Sequence, residues 1–153
     1  MAFLYFEDLE VGDTRALGSV EVSEADVVDF AAQWDPQPMH LTHEAAAESF
    51  FGELTASGWQ TCCLLMRRMC DGLLLQAASK GSPGISQLRW RKPVRPGDCL
   101  TMQATVVAAR PSRSRPEIGL ITFRFDVDND RGEQVMTMEN TIMLGRRPAE
   151  NVS

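Results

Sequence analysis

The chain has 153 residues, a formal net charge of −6, 44% hydrophobic residues and 24% charged residues. These totals are typical of one soluble globular domain, and the acidic balance argues against nucleic acid as the main partner because phosphate binding needs a basic surface. The four cysteines, Cys62, Cys63, Cys70 and Cys99, form no C-x-x-C pair. We therefore expect neither a disulfide framework nor a zinc site, and we expect a reducing, cytoplasmic location.

Two segments bear on targeting. Residues 1–13 turn acidic at once and lack the basic start of a signal peptide. Residues 59–78 are long enough to span a bilayer, but Arg67, Arg68 and Asp71 lie near the middle. Each charge would cost about 2.5–3.5 kcal/mol at the centre of a membrane helix. We therefore predict a buried helix of a soluble protein and no membrane partner.

The first part of the chain predicts one strand and two short helices. Residues 14–22 are rich in β-type residues and predict an edge strand. Ser23 opens a capping box, and Pro36 ends the helix that follows. The apolar stripe of this helix, at helical spacing, is formed by Val27, Phe30, Ala31 and Trp34. Thr42 can cap a second short helix over residues 43–52.

The rest of the chain predicts one long helix followed by strands. Nearly every face of the segment 58–79 is apolar, which indicates a buried helix about 30 Å long. The period then changes to two, and strands are predicted over residues 85–94, 100–110, 118–127 and 133–144. A turn at 96–98 joins the first two strands, and a hairpin turn at 129–132 joins the last two. Helices grouped before strands predict a single α+β domain over 1–153, with an antiparallel sheet of about five strands around a long central helix.

An acid, two prolines and a histidine fall within the six residues DPQPMH, from Asp35 to His40. Proline restricts both itself and the residue before it, so this segment samples few conformations. Stiffness suits a carboxylate and an imidazole that must face one water across a fixed gap. It suits equally a bend between two helices, with Asp35 as a cap and His40 as a structural histidine.

Several segments together resemble one family. Asp35 to His40 resembles the D-x-N-P-x-H signature of the MaoC-like dehydratases, the (R)-specific enoyl-CoA hydratases. The family's opening resembles FEDLEVGD (6–13). The "a-H-G" that opens its central helix resembles Ala56-Ser57-Gly58. Its "f-x-x-P-v-x-x-G-D-x-l" strand and turn resembles LRWRKPVRPGDCL (88–100). The resemblance extends over about residues 4–145, the expected ordered core, and it implies a hotdog fold.

The resemblance also implies an activity, which is the reversible syn addition of water to a trans-2-enoyl-CoA to give an (R)-3-hydroxyacyl-CoA. Asp35 and His40 would activate the water and relay its proton, and the Gly58 N–H would bind the oxyanion. The substrate would lie near Gln37, Ser57 and Trp59. No separate cofactor is implied, because coenzyme A is part of the substrate, and a homodimer or a dimer of dimers with the pocket at the interface is expected. The alternative role for Gly58 is close packing at the helix start.

Three residues depart from the family pattern. Gln37 stands where the family has asparagine, and Ser57 stands where it usually has histidine. Eight residues after Gly58, where many relatives carry a serine that supports the catalytic acid, this chain has Met66. Methionine cannot donate a hydrogen bond. We therefore expect one of three outcomes: Asp35 is oriented differently, Gln37 orients it, or the activity is weak or altered.

Basic residues after the central helix are candidates for contacts with the phosphates of coenzyme A. Arg89, Arg91 and Arg95 fall on one strand face by parity, and Lys92 is nearby. Arg89, Arg91 and Lys92 are the candidates that we select. The alternative is a solvated strand face.

The sequence leaves two other functions and one metal site as alternatives to the hydratase. A hotdog thioesterase would need an acid on the central helix, where Asp71 is the only one, and a non-catalytic acyl-CoA-binding module would need no acid–base pair. His40 and His43 form an H-x-x-H pattern with Glu44 next to it. We predict no metal site, because His43 and Glu44 begin a helix and Glu44 there stabilises the positive N-terminal dipole.

Overall fold

The computed structural model describes residues 2–149, so the predicted domain 1–153 extends past the described residues at both ends. The helices in the described part are α1 (Glu24–Trp34), α2 (His43–Ala47) and α3 (Gly58–Gly72). The strands are β1 (Thr14–Glu21), β2 (Gly84–Trp90), β3 (Cys99–Pro111), β4 (Ile118–Asp128) and β5 (Gln134–Gly145). They form one antiparallel sheet in the order β1-β3-β4-β5-β2. This confirms the predicted α+β fold and the edge strand near residues 14–22.

The core lies where α3 packs against one face of the sheet. Leu65 and Met69 of α3 are buried and belong to one cluster with Phe125 of β4 and Met136 of β5. Alternate residues of β4 enter this cluster, as the period-two pattern of the sequence predicts. Burial of each such side chain stabilises the folded state by about 1.5–3 kcal/mol relative to leaving the side chain exposed. These contacts fix α3 against β4 and β5.

Two turns at one end of the sheet are tied together. The β4–β5 turn contains Gly132 at φ +75°, a conformation that favours glycine, and its N–H donates to the Asn129 carbonyl over 3.2 Å. Arg131 of this turn donates to both carboxylate oxygens of Asp98, at 2.7 and 3.4 Å. Because Asp98 is buried, this pair fixes the turn before β3 to the β4–β5 hairpin.

The predicted long central helix is present as α3, but it ends at Gly72 rather than at residue 79 and is followed by a single 3-10 turn, Leu74–Gln76. A Cβ on Gly72 would lie 3.1 Å from Leu17 Cδ2, so glycine allows the helix end to approach β1 and, as a poor helix former, favours ending there. The prediction that the helix is buried on nearly every face is wrong for the single chain. Trp59 is 57% exposed and Met66 is 46% exposed.

Two other elements are shorter than predicted. The helix α2 ends at Ala47 rather than at residue 52, because the chain then turns and reaches φ +71° at Gly52. Strand β2 ends at Trp90 rather than at residue 94, because Pro93 has no N–H to donate to a neighbouring strand. No helix within residues 2–149 is long and apolar enough to cross a bilayer.

Candidate active site

The Asp35 carboxylate lies at the end of α1, where two side chains hold it. The backbone N–H of Asp35 donates to the Ala31 carbonyl over 2.9 Å, so Asp35 is the last residue that is hydrogen-bonded to the helix. Gln37 Nε2 donates to Asp35 Oδ1, and Ser57 Oγ donates to Asp35 Oδ2, both over 2.7 Å. The carboxylate orientation is therefore fixed from two directions.

His40 is buried beside this carboxylate with one ring nitrogen free to accept a proton. It ends the 3-10 turn Pro38–His40 and is only 5% exposed. Its Nδ1 lies 2.6 Å from the Thr55 carbonyl oxygen. Because a carbonyl only accepts, Nδ1 carries the proton, and in the neutral ring the lone pair is on Nε2. That atom lies 3.5 Å from Asp35 Oδ2.

The hydrogen bonds to Asp35 determine its charge. The Ser57 hydroxyl and then the Gln37 amide lower the pKa of the Asp35 carboxyl. Burial opposes them, and the charge interaction with His40 lowers the pKa least. Asp35 is therefore ionised at neutral pH. A water beside Asp35 Oδ2 and His40 Nε2 can donate one O–H to each, which leaves an oxygen lone pair directed away from both.

The start of α3 completes the polar side of the site. Ser57 is the N-cap, and its Oγ accepts from the Trp59 N–H over 3.3 Å. The Gly58 N–H, in the first position of the helix, makes no hydrogen bond with any part of residues 2–149. It lies at the positive end of the helix dipole, where a developing negative charge is stabilised.

These groups line a cavity of about 340 Å³. Its wall includes the expected site residues Asp35, Gln37, His40, Gly58, Trp59, Arg91 and Lys92. Apolar side chains complete the wall, among them Met39, Phe51, Trp90, Val94 and Val135. The cavity thus presents a carboxylate, an imidazole and a helix N-terminus to a compartment that is otherwise largely apolar.

Ser57 and Met66 correct the sequence interpretation. Ser57, expected among the substrate-binding residues, is 0% exposed and lies behind Asp35. Ser57 supplies the supporting hydroxyl that many relatives carry at the position of Met66, whereas Met66 lies on the exposed face of α3. The only sequence signal for this role is a hydroxyl residue directly before the first glycine of the helix.

The candidate phosphate contacts separate into two groups. Arg91 and Lys92 follow the end of β2 and line the cavity, and Lys92 Nζ lies 3.7 Å from Glu133 Oε2. Arg89 is exposed and lies outside this wall, because its neighbour Trp90 occupies the helix side of the strand. The predicted shared face of Arg89, Arg91 and Arg95 is wrong, because β2 ends before the last two.

The residues needed by the rival interpretations lie elsewhere. Asp71 accepts from Arg67 Nε over 3.0 Å and from Arg68 over 2.8 Å, and it does not belong to the cavity wall. His43 is exposed and pairs with Glu24, away from His40. Within residues 2–149, no three His, Cys, Asp or Glu side chains converge to hold a metal ion.

Residues 9–122 match the family model of the MaoC like domain. The chain is 39% identical over 117 residues to the 3-hydroxybutyryl-CoA dehydratase of Methylorubrum extorquens, covering 75% of this chain and 71% of that protein. It is 28% identical over 145 residues to the (R)-specific enoyl-CoA hydratase of Rhodospirillum rubrum, covering 94% and 93%. The crystal structure of the MaoC-like dehydratase from Rhodospirillum rubrum superposes with a TM-score of 0.85 at 40% identity, over 95% of this chain and 99% of that one. The chain belongs to the MaoC-like dehydratase family and has its hotdog fold.

Proposed function

We propose that the protein is an enoyl-CoA hydratase that adds water reversibly to a trans-2-enoyl-CoA and forms an (R)-3-hydroxyacyl-CoA. The observation that carries this proposal is the gap of 3.5 Å between Asp35 Oδ2 and His40 Nε2 on the wall of a cavity that also contains the Gly58 N–H. Water addition needs a held and deprotonated water, a proton for C2 and a stabilised thioester oxygen. These three groups can meet each need.

The Asp35–His40 pair takes one proton from water and returns one proton to the substrate. A water held between Asp35 and His40 attacks C3 of the enoyl thioester, and one of its protons passes to the pair, with His40 Nε2 as the acceptor. The electron pair of the double bond moves onto the thioester oxygen as an enolate. The pair then returns one proton to C2 on the same face, so the addition is syn and the pair regains its starting state.

The enolate oxygen is stabilised by the Gly58 N–H. Loss of one oxyanion donor typically costs about 10²–10³ in rate, because such donors act in a site from which water is excluded. The helix dipole of α3 acts in the same direction. The direction of turnover in the cell follows from the concentrations of substrate and product, since the same groups serve hydration and dehydration.

The relatives support a hydratase or dehydratase over the rival functions. The two curated proteins described above are named as a dehydratase and a hydratase, and neither is named as a thioesterase. Asp71, the acid that a thioesterase would use, is neutralised by two arginines outside the cavity. We therefore assign the acyl-CoA chemistry to Asp35 and His40.

The coenzyme A and a second subunit complete the proposal. Arg91 and Lys92, at the cavity wall, are the proposed contacts of the coenzyme A phosphates. We propose a homodimer, because Trp59 and Met66 leave an apolar strip of α3 exposed in the single chain. Ile85 on the edge strand β2 is also exposed, at 52%. The proposed cytoplasmic location rests on the cysteine pattern alone.

One assay separates hydratase, thioesterase and binding module. The purified protein is mixed with a four-carbon trans-2-enoyl-CoA, and enoyl absorbance and free thiol are followed together. We expect loss of enoyl absorbance without thiol release, and chiral analysis should give the (R)-alcohol. Thiol release, or saturable binding with neither change, would contradict the proposal.

A further inference from the structure

Trp90 makes a contact with the start of α3 that leaves no room for a side chain. A Cβ built on Gly58 would lie 2.4 Å from Cε2 and 2.6 Å from Nε1 of the Trp90 ring. The indole therefore rests directly against the Gly58 Cα. Gly58 and Trp90 form a size-matched pair, in which the absence of one side chain makes space for the other.

The same indole is also anchored by a hydrogen bond. Trp90 Nε1 donates to the Gly58 carbonyl over 3.0 Å. The ring packs edge-to-face against Trp59, with centroids 5.3 Å apart and an interplanar angle of 78°. Trp90 is the last residue of β2, so these contacts attach the first turn of α3 to the edge strand.

The position of Trp90 has two consequences for the cavity. The hydrogen bond and the ring contact hold the peptide group on the C-terminal side of Gly58 and so fix the turn that carries the Gly58 N–H. Both indoles belong to the cavity wall, and Trp90 is 48% exposed in the single chain. Its free surface therefore limits the room beside any group that binds at the Gly58 N–H.

We propose that Trp90 is a positioning and specificity residue, which aligns the Gly58 N–H for oxyanion binding and restricts the site to short enoyl thioesters. This inference rests on the proposed function of the cavity. To that function the inference adds a substrate class and a residue from β2. This strand contributes none of the proposed acid–base groups. The "f-x-x-P" pattern places an aromatic residue at this position, but phenylalanine lacks the indole N–H that reaches the Gly58 carbonyl.

The first test separates the hydrogen bond from the ring. In Trp90→Phe the ring contact remains and the N–H is lost, and we expect kcat to fall about fivefold with little change in KM. In Trp90→Leu the ring is lost as well, and a displaced oxyanion donor should lower kcat by up to about 10²-fold. Trp34→Leu is the matched control, because Trp34 is 68% exposed and lies outside the cavity wall.

The second test uses size matching. Gly58→Ala should lower kcat because the new Cβ pushes the Trp90 ring away. Adding Trp90→Leu to Gly58→Ala should cost little further, because the new Cβ has already displaced the ring and the two variants lose the same contact. In Trp90→Leu, the ratio of kcat/KM for an eight-carbon over a four-carbon enoyl-CoA should rise about tenfold or more, since extra methylenes then find room.

A ligand readout keeps this inference distinct from the proposed function. The enolate absorbance of bound acetoacetyl-CoA reports on the oxyanion site without turnover. We expect Trp90→Phe and Trp90→Leu to reduce the bound enolate fraction, and this result would support the positioning role even if the wild-type chain proved inactive as a hydratase. Unchanged enolate fraction and unchanged kcat in folded Trp90→Phe would overturn the positioning role, and an unchanged chain-length ratio in Trp90→Leu would overturn the specificity role.

Discussion

Two histidines three residues apart pair with acids in opposite surroundings. His40 is buried in the cavity wall, with Nδ1 bonded to the Thr55 carbonyl and Nε2 facing Asp35. The His43 side chain is 73% exposed and pairs with Glu24 on the surface. The acid and base types are alike in the two pairs. Burial and a fixed tautomer, rather than the mere presence of an acid–histidine pair, therefore distinguish the candidate catalytic pair.

The largest expected effect is a loss of hydratase activity when the Asp35–His40 pair is substituted, but not when the Glu24–His43 pair is substituted. Asp35→Asn and His40→Ala should each lower hydration by about 10²–10⁴-fold, because each removes one of the two groups that act on the same water. Glu24→Gln and His43→Ala, the matched controls, should retain wild-type rates. Steady-state kinetics with a four-carbon enoyl-CoA measures both sets.

The double variant of Asp35 and His40 sharpens this prediction. Residues that act as a unit are not additive, so the double variant should lose little more than the worse single variant. Losses that multiply would contradict a shared water. Full activity in both single variants would make the DPQPMH segment a structural bend.

A second prediction concerns the hydroxyl behind the carboxylate. Ser57→Ala removes the main cause of the lowered pKa of Asp35, so that pKa should rise. Activity requires the ionised carboxylate, and the acidic limb of the kcat/KM profile should therefore move to higher pH. Ser23→Ala, which removes the N-cap of α1 and does not contact Asp35, is the control and should leave the limb in place. A limb that stays fixed in Ser57→Ala would mean that another group sets it.

The same substitution has a smaller effect on folding. Ser57→Ala should lower the free energy of unfolding by about 0.5–2 kcal/mol at neutral pH, because the helix loses its N-cap. The folded-state pKa of Asp35 is lowered, so the stability that Ser57 contributes through the carboxylate is present above the unfolded pKa. It is lost as the pH falls through the folded pKa. Urea titrations of both proteins should therefore converge partly at acidic pH, and a difference independent of pH would assign the whole effect to the cap.

The smallest effect is expected at the exposed pair. His43→Ala should change the free energy of unfolding by only about 0–1 kcal/mol, because exposed ion pairs are screened and cost side-chain entropy. High salt should reduce even this difference. A loss of several kcal/mol would show that the surface pair has a structural role and that the comparison with His40 concerns function alone.

Local patterns in the sequence predict much of this molecule. Period-two alternation predicts four strands, and the proline-stiffened segment brings Asp35 and His40 to one place. Where local patterns fail, a distant partner decides. Gly72 ends α3 where Leu17 lies close, and nothing near residue 72 reveals that contact.

The same reason explains why the sequence reveals neither the role of Ser57, which was expected to contact substrate, nor any role for Trp90. Ser57 supports a carboxylate 22 residues away, and the Trp90 indole bonds to a carbonyl 32 residues away. The spacing of the family pattern points to Met66, because many relatives carry the supporting hydroxyl at that position. In this chain the hydroxyl is on Ser57. Such exchanges depend on distances between side chains, which spacing along the chain does not encode.

The double use of Ser57 limits how this protein can be engineered. Aspartate is as good an N-cap as serine in isolated helices, so routine stabilisation would consider it at position 57. Here it would introduce a second negative charge against Asp35, where the serine now donates a hydrogen bond over 2.7 Å. Improving the helix would thus damage the acid, and variants selected only for heat resistance should be expected to lose turnover at this position.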